Sequence, residues 1–470
     1  MRIHSRPKLA GSGRLKALRV PNSKRMAGCR LARLVGVVAL AAVAASCLPV
    51  GSASTSSIAS VTAEDDLAGN PDTTSPVVRV AAAATRGAFS ASGPEFASTR
   101  VDLESYRDSL SNLNVVPAAT GGPAATSTPS AVPERVWVVA DDDQAATLAA
   151  HGYRIGDTVI VATGDLRALP PQTRELIFNA STVKLAPGLD EDALWQLEAI
   201  RRGDEIPGGG LLMFDEGLDR RLVAIYGHPS TSSLGVLGEQ SHDEGVERLR
   251  SIAEGYDAGG AVVVPTFEII ATVASAGAGS DGDYSAMTAR DVIRPWVETA
   301  AANNMYVVLD LQSGRSDFLS QAKAYEEFLR LPHVGLALDP EWRLKPHQVH
   351  LEQIGTVDAA EINQVVRWLA GIVRKEALPQ KLLVLHQFRF SMITNRELIE
   401  TPPELAVLIH MDGQGPLNLK YNTWNFLTNE PDTDKFHWGW KNFYDEDAPI
   451  MATPEQVLEL TPNPVFVSFQ

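Results

Sequence analysis

Cysteine is nearly missing from this chain of 470 residues: Cys29 and Cys47 are its only two, both within the first 47 residues. A disulfide framework across the body is excluded, so its stability has to come from a packed core. Acidic residues are absent from the same 47 residues, which carry ten Lys/Arg; the remaining 31 of 41 basic residues face 57 acidic ones, a balance of −26 within a net charge of −16. A body that acidic repels phosphates, which argues against nucleic acid as a partner. The apolar run at residues 34–45 is too short to span a membrane, which takes about 20 residues. No nucleophile elbow of the G-x-S-x-G type, no P-loop and no H-x-H or H-E-x-x-H metal motif occurs, and no cofactor is expected.

What the first 47 residues do hold is ordered. Arg30 and Arg33 precede the apolar run, and small residues close it at "VAASC", residues 43–47. This charge, apolar and small-residue order is that of a secretory signal. "VAASC" resembles a bacterial lipobox, which implies Cys47 as the lipidated residue and a membrane anchor at the outer face of the cell membrane. Ala44 departs from the aliphatic residue commoner there. The basic leader before it is long, and Met26 is an alternative start.

Residues 48–131 read as a tether. Stretches such as "GSASTSSIAS" and "PAATGGPAATSTPSAVP" carry few large apolar side chains and cannot offset their ordering entropy. Residues 132–205 read as a small α/β unit with strands at "RVWVVADDD", "DTVIVAT" and "STVKLA". Its second half, through "VIVAT", "LPPQTRELI", "STVKLA" and "DEDALWQLEAI", resembles the cell-wall-binding repeat (type 2). That family occurs as tandem copies ending in Gly-Gly; here one copy is present and Pro187-Gly188 stands in that place.

From 215 to 470, strand patterns alternate with amphipathic helical ones. The strands are "RLVAIYGHP", "GAVVVPTFEI", "MYVVLDLQ", "VGLALDPEW", "KLLVLHQF", "LAVLIHMDG", "WGWKNFYDED" and "NPVFVSFQ". Parallel strands need crossover helices, and eight such units in this length predict a (β/α)8 TIM-like barrel behind the small N-terminal α/β domain. The seventh strand lacks clean alternation, and a doubly wound open sheet is the alternative. The loop "GAGSDGDY" after strand two reads as a mobile flap and not a calcium loop.

Strand four poses the functional question. Side chains alternate along a strand, so Val334, Leu336 and Leu338 share one face and Gly335, Ala337, Asp339 and Glu341 the other. Large aliphatics pack outward on helices, and the small row faces the lumen and turns acidic at its C-terminal end, the catalytic face of such barrels. The same parity sets His228, Glu268, Asp310 with Gln312, His386 and His410 with Asp412 at the ends of five other strands. Paired carboxylates at one rim suit glycoside hydrolysis: Glu341 as general acid, Asp339 orienting it, and Asp310 or Asp412 as nucleophile or base. The Asp-x-Glu ending of strand four resembles that of chitinase-like glycoside hydrolase barrels; the further aspartates of that family are replaced here by Gly335 and Ala337. Trp342, Gln387, Trp424 and Tyr444, with Gln312, His228, Glu268, His386 and His410, are the candidate carbohydrate-binding residues, and Phe388, Phe390, Tyr421, Trp438 and Trp440 also follow strand ends. Two other readings remain open: a metal-dependent hydrolase such as a deacetylase or phosphodiesterase, using His228, His386, His410, Asp310 and Asp412, and a surface lipoprotein that binds envelope glycan without cleaving it.

Overall fold

A computed structural model describes residues 114–117, 133–151, 157–186, 189, 192–214, 218–257 and 260–470. The leader, Cys47 and nearly all of the stretch read as a tether lie outside the described residues. Four residues of that stretch, Asn114–Pro117, form strand β1.

β1 joins β2 (Arg135–Val139), β3 (Thr158–Val161) and β4 (Thr182–Leu185) in a parallel sheet of order β1-β3-β2-β4. Val136, Val138, Ile160, Leu166, Ile177, Leu197 and Ile200 form its core, where apolar faces of the helices Pro171–Asn179 and Ala193–Arg202 meet the sheet. Trp195 packs instead into the outer core of the next unit, under the guanidiniums of Arg167 and Arg374 at 4.5 and 5.3 Å.

The larger unit is a closed barrel. Its strands are β5 (Arg220–Gly227), β6 (Val262–Ala274), β8 (Tyr306–Leu311), β9 (Val334–Leu338), β11 (Lys381–His386), β13 (Leu405–Met411), β14 (His437–Asn442) and β15 (Phe466–Phe469). Each pairs in parallel with its neighbour, and β15 returns to β5, which also pairs with β6. Closure rules out the open doubly wound sheet. β6 is longer than its sequence pattern suggests: past a bulge between Ile270 and Thr272 it leaves the barrel and pairs antiparallel with β7 (Ser285–Met287). Outside the barrel, β10 (Val357–Asp358) and β12 (Ile393–Thr394) form one short parallel rung.

Helices cover the barrel because their apolar residues recur every three to four positions. The helix Ala359–Lys375 buries Ile362, Val365, Val366, Leu369, Ile372 and Val373, each worth about 1.5–3 kcal/mol against water. Asp358 caps it by accepting the Ala360 N–H at 3.0 Å. The helix His242–Ala253 opens with a capping box between Ser241 and Glu244.

The lumen follows the predicted parity. Leu222, Ala224, Val264, Tyr306, Val308, Ala337, Leu382, Val384, Ala406, Leu408 and Phe466 fill it as one apolar cluster. Ile206 and Met213, from the segment between the two units, belong to the same cluster and plug the end where the strands begin. Arg220 fastens that plug, donating to Leu212 O at 2.7 Å, to Met213 O at 2.8 Å and to Gly209 O. The lumen is therefore closed below by this plug, and its ionisable side chains other than Arg220 and Tyr306 gather near the C-terminal ends of the strands.

Candidate functional site

β9 ends sooner than the alternation of "VGLALDPEW" implies. Pro340 has no N–H for a sheet ladder, and Asp339 caps a single 3-10 turn, Pro340–Trp342. Glu341 thus reaches the mouth from a turn and not as the next lumenal strand position. Its backbone is held at both ends: its N–H donates to Asp339 Oδ1 at 3.3 Å and its carbonyl accepts from Gly355 N at 2.7 Å. Gly355 is required there, since a Cβ would sit 2.4 Å from Pro340 O.

Beneath this turn lies a fully buried floor of Glu268 on β6, Asp310 on β8, His386 on β11 and His410 on β13. His386 is its hub. Its Nε2 lies 3.3 Å from Glu268 Oε1 and 3.7 Å from Asp310 Oδ1, and its Nδ1 lies 3.0 Å from Asp412 Oδ2. His410 Nδ1 is 3.9 Å from Glu268 Oε1, and its Nε2 is 3.3 Å from Ser468 Oγ. Gly439 on β14 makes room for this ring, because a Cβ would approach His410 Cδ2 to 2.9 Å. Tyr226 on β5 donates its hydroxyl to Asp310 Oδ2 at 2.8 Å and accepts from Gln312 Nε2 at 3.2 Å. The Lys441 ammonium sits over the Tyr226 ring, 3.4 Å from its centroid.

Burial and crowded charge set the protonation of these groups. Burial and the Asp412 carboxylate push Glu341 up to about 8, although its side chain is only half-buried. Burial, then Glu341, raises Asp339 well above the carboxylate range. Burial takes Asp310 up to about 6, against the attraction of His386. Burial would raise Asp412 too, but the His386 hydrogen bond and charge hold it below its ordinary value. Burial opposes the ionised form of Glu268, and His386 and His410 overcome that opposition. Burial alone would lower His386; its Asp412 and Glu268 partners reverse this and hold it well above an ordinary imidazole. Burial lowers His410 to about 3, so it is neutral. The mouth therefore combines carboxyls that keep their protons with carboxylates that have lost theirs.

Of the residues singled out in sequence, Glu268, Asp310, Gln312, His386, His410 and Asp412 meet in this hollow, with Asp339 and Glu341 on the turn above. Others stand elsewhere. His228, half-buried, bonds Thr288 Oγ1 at 3.0 Å beside β6 and has no carboxylate partner. Gln387 has the opposite parity to His386, points away from the lumen and accepts from Arg396 Nη1 at 3.0 Å. Trp424, 1% exposed, is enclosed on the helix Leu417–Thr428 against Trp438 and Trp440, whose strand positions face the helices; no sugar can reach it. Trp342 is half-buried beside His350, at 5.3 Å between rings. Tyr444 is exposed and lies against Phe469, an outward-facing residue. Phe390 packs on Phe426, and Tyr421 against Trp440. The loop read as a mobile flap is tied down: Asp283 O accepts from Arg315 N at 2.6 Å, Tyr284 O lies 2.9 Å from His350 Nε2, and Arg315 covers the Tyr284 ring at 4.4 Å. That loop borders an open pocket of about 440 Å3 lined by Asp281, Asp283, Met287, Arg315 and Gln321, which contains none of the clustered carboxylates. The clustered ionisable groups lie in the hollow, not in that pocket.

Tyr226, Lys441 and Ser468 were not found in sequence. Tyr226 and Ser468 obey the lumenal parity of their strands and were legible by extending it. Lys441 was hidden by its flanking aromatics, which read as a mouth lining and are outer-layer packing.

Fold and site together define a (β/α)8 barrel with an ionisable C-terminal mouth. No family model matches the sequence, and no curated protein does. Among solved structures, the chain is similar to the GH18 chitinase ChiB from the chitin utilization locus of Flavobacterium johnsoniae, at 11% identity and a TM-score of 0.26, covering 54% of this chain and 87% of that one. The barrel assignment rests on the strand pairings of this chain itself.

Proposed function

We propose that this protein is a glycoside hydrolase acting on a polysaccharide or glycoconjugate of the cell envelope. The observation that carries the reading is the meeting of Glu341, Asp339, Asp412 and Asp310 at the C-terminal mouth of one closed barrel. Glu341 is the general acid. It gives its proton to the glycosidic oxygen as the bond to the anomeric carbon breaks. Asp412 is the second carboxylate, accepting a proton from the water that adds to that carbon or adding to it directly. Asp412 fits this role better than Asp310, whose side chain is fully buried and bound by Tyr226, while that of Asp412 keeps 5% exposure. Asp339 orients Glu341 by accepting its backbone N–H, while burial and the Asp412 carboxylate favour the protonated form of Glu341. Trp342 is the aromatic nearest in sequence for stacking on a sugar face.

The leader supports export with a lipid on Cys47, and the small α/β unit supports a wall-facing position. Cys47→Ser should move the protein from the membrane fraction to the soluble one; an unchanged distribution removes the anchor from the account. For the activity, mass spectrometry of a panel of envelope polysaccharides should show oligosaccharides released by the wild type, with Glu341→Gln slower by about 10²–10⁴-fold, the usual contribution of a general acid. Release at equal rates, or none from any member of the panel, overturns the reading.

A further inference from the structure

We propose that Glu268, His386 and His410, closed by Asp310, bind one divalent transition-metal ion in the floor of the barrel. The inference goes beyond hydrolysis and stands whether or not the mouth above cleaves a glycan.

The geometry carries it. One donor atom each from Glu268, His386 and His410 lies within 4.8 Å of the other two, and all three residues are buried. The edges are 3.3 Å from Glu268 Oε1 to His386 Nε2, 3.9 Å from Glu268 Oε1 to His410 Nδ1, and 3.7 Å from Asp310 Oδ1 to His386 Nε2. A tetrahedral zinc with ligands at about 2.0–2.2 Å has edges of roughly 3.3–3.6 Å. Shifts of a few tenths of an ångström bring these three edges into that range, and the edge between the two imidazoles is at most 4.8 Å.

The hydrogen bonds show the same thing from the other side. His386, His410 and Asp310 each have an outward atom with a partner and an inward atom without a hydrogen bond, and neither oxygen of Glu268 has one. His386 Nδ1 meets Asp412, His410 Nε2 meets Ser468, and Asp310 Oδ2 meets Tyr226. His386 Nε2, His410 Nδ1, Asp310 Oδ1 and both carboxylate oxygens of Glu268 are buried without a hydrogen-bond partner. A buried polar atom without a hydrogen bond costs about 1–3 kcal/mol, and these five, of which His386 Nε2 and Glu268 Oε1 have only an ion-pair contact, converge on one point that an ion would satisfy. An outer carboxylate on a ligating imidazole is the usual support of a metal site.

Two imidazole nitrogens select a zinc-like ion over calcium or magnesium, which take oxygen ligands. Asp310, outside the three-residue set but 3.7 Å from His386 Nε2, would supply the fourth donor, and with it bound the ion is structural. It would join β6, β8, β11 and β13 and fix the ring against which Asp412 is held, taking the place of a proton on His386 Nε2.

The test uses the full chain without a polyhistidine tag. Elemental analysis should find about one zinc, or a like ion, per chain, and removal by a chelator should lower the melting temperature until about one equivalent of zinc chloride restores it. Glu268→Gln and His410→Gln should weaken zinc binding by more than about 100-fold, and Asp412→Asn by roughly 10–100-fold through the outer bond. If these variants do not fold, cobalt added to the stripped wild type should give visible absorption that saturates at about one equivalent. A wild type that carries no ion, gains no thermal stability from zinc and gives no cobalt spectrum overturns the proposal and leaves a directly bonded histidine–glutamate pair. Loss of glycan cleavage without these metal readouts bears on the function alone.

Discussion

Gly335→Ala probes the lumen where the site is built. Gly335 faces inward on β9, and a Cβ there would lie 2.6 Å from Leu382 O and 3.0 Å from both Cε1 and the hydroxyl oxygen of Tyr306. Ordinary contact begins at about 3.4 Å, so either β9 and β11 must separate or the Tyr306 ring must tip. Tipping forfeits the hydrogen bond in which the Leu382 N–H donates to the Tyr306 hydroxyl at 3.2 Å. Overpacking of this kind costs about 1–3 kcal/mol, and the lost bond adds about 0.5–1.5 kcal/mol. Gly371 supplies the control. It is exposed on the helix Ala359–Lys375 and an added Cβ meets nothing within 4 Å. Gly371→Ala should therefore stabilise by about 0.5–1 kcal/mol through helix propensity. Urea unfolding of the two variants should shift the midpoint in opposite directions, with the unfolding free energy of Gly335→Ala lower by about 1.5–4.5 kcal/mol. Equal or reversed shifts would refute the inward assignment of the small residues on β9.

Three further outcomes are expected. Glu341 holds its proton up to about 8 in the folded chain against 4.5 for an ordinary glutamate, so between those values the folded state binds more protons and stability falls as pH rises. Glu341→Gln lacks that slope, and its melting temperature should gain on the wild type across this window; a constant difference contradicts the shift. Trp424→Ala should cost about 3–5 kcal/mol in chemical denaturation and leave the products of the proposed glycan cleavage unchanged, since the ring packs between helix and barrel. A change of products with little loss of stability would return Trp424 to the site. Tyr226→Phe removes the hydroxyl bound to Asp310, with an expected loss of about 1.5–3 kcal/mol measured by the same unfolding assay; a neutral result means the bond contributes nothing.

Much of the architecture was legible because period-two alternation is a direct consequence of strand geometry. Val308, Asp310 and Gln312, or Leu408, His410 and Asp412, read in sequence as an apolar row turning polar, and the structure puts that turn at the mouth. Legibility failed where another principle overrode alternation. Pro340 ended β9 and delivered Glu341 from a turn. Aromatics around Lys441 looked like a sugar platform, but parity alone decides their side: Trp438 and Trp440 face the helices and Lys441 the lumen. Trp424 followed a strand end in sequence yet belongs to a helix that buries it. The unpaired inward atoms of Glu268, His386 and His410 were illegible in principle, because their spacing of 118 and 24 residues along the chain forms no motif and only barrel closure brings them together.

The account turns on Glu341 keeping a proton at the mouth while Asp412 does not. NMR of the chain labelled at the glutamate side-chain carboxyl, with the Glu341 signal assigned by its absence in Glu341→Gln, measures this directly. A midpoint near 8 is the predicted result; a midpoint at the ordinary glutamate value would contradict the account.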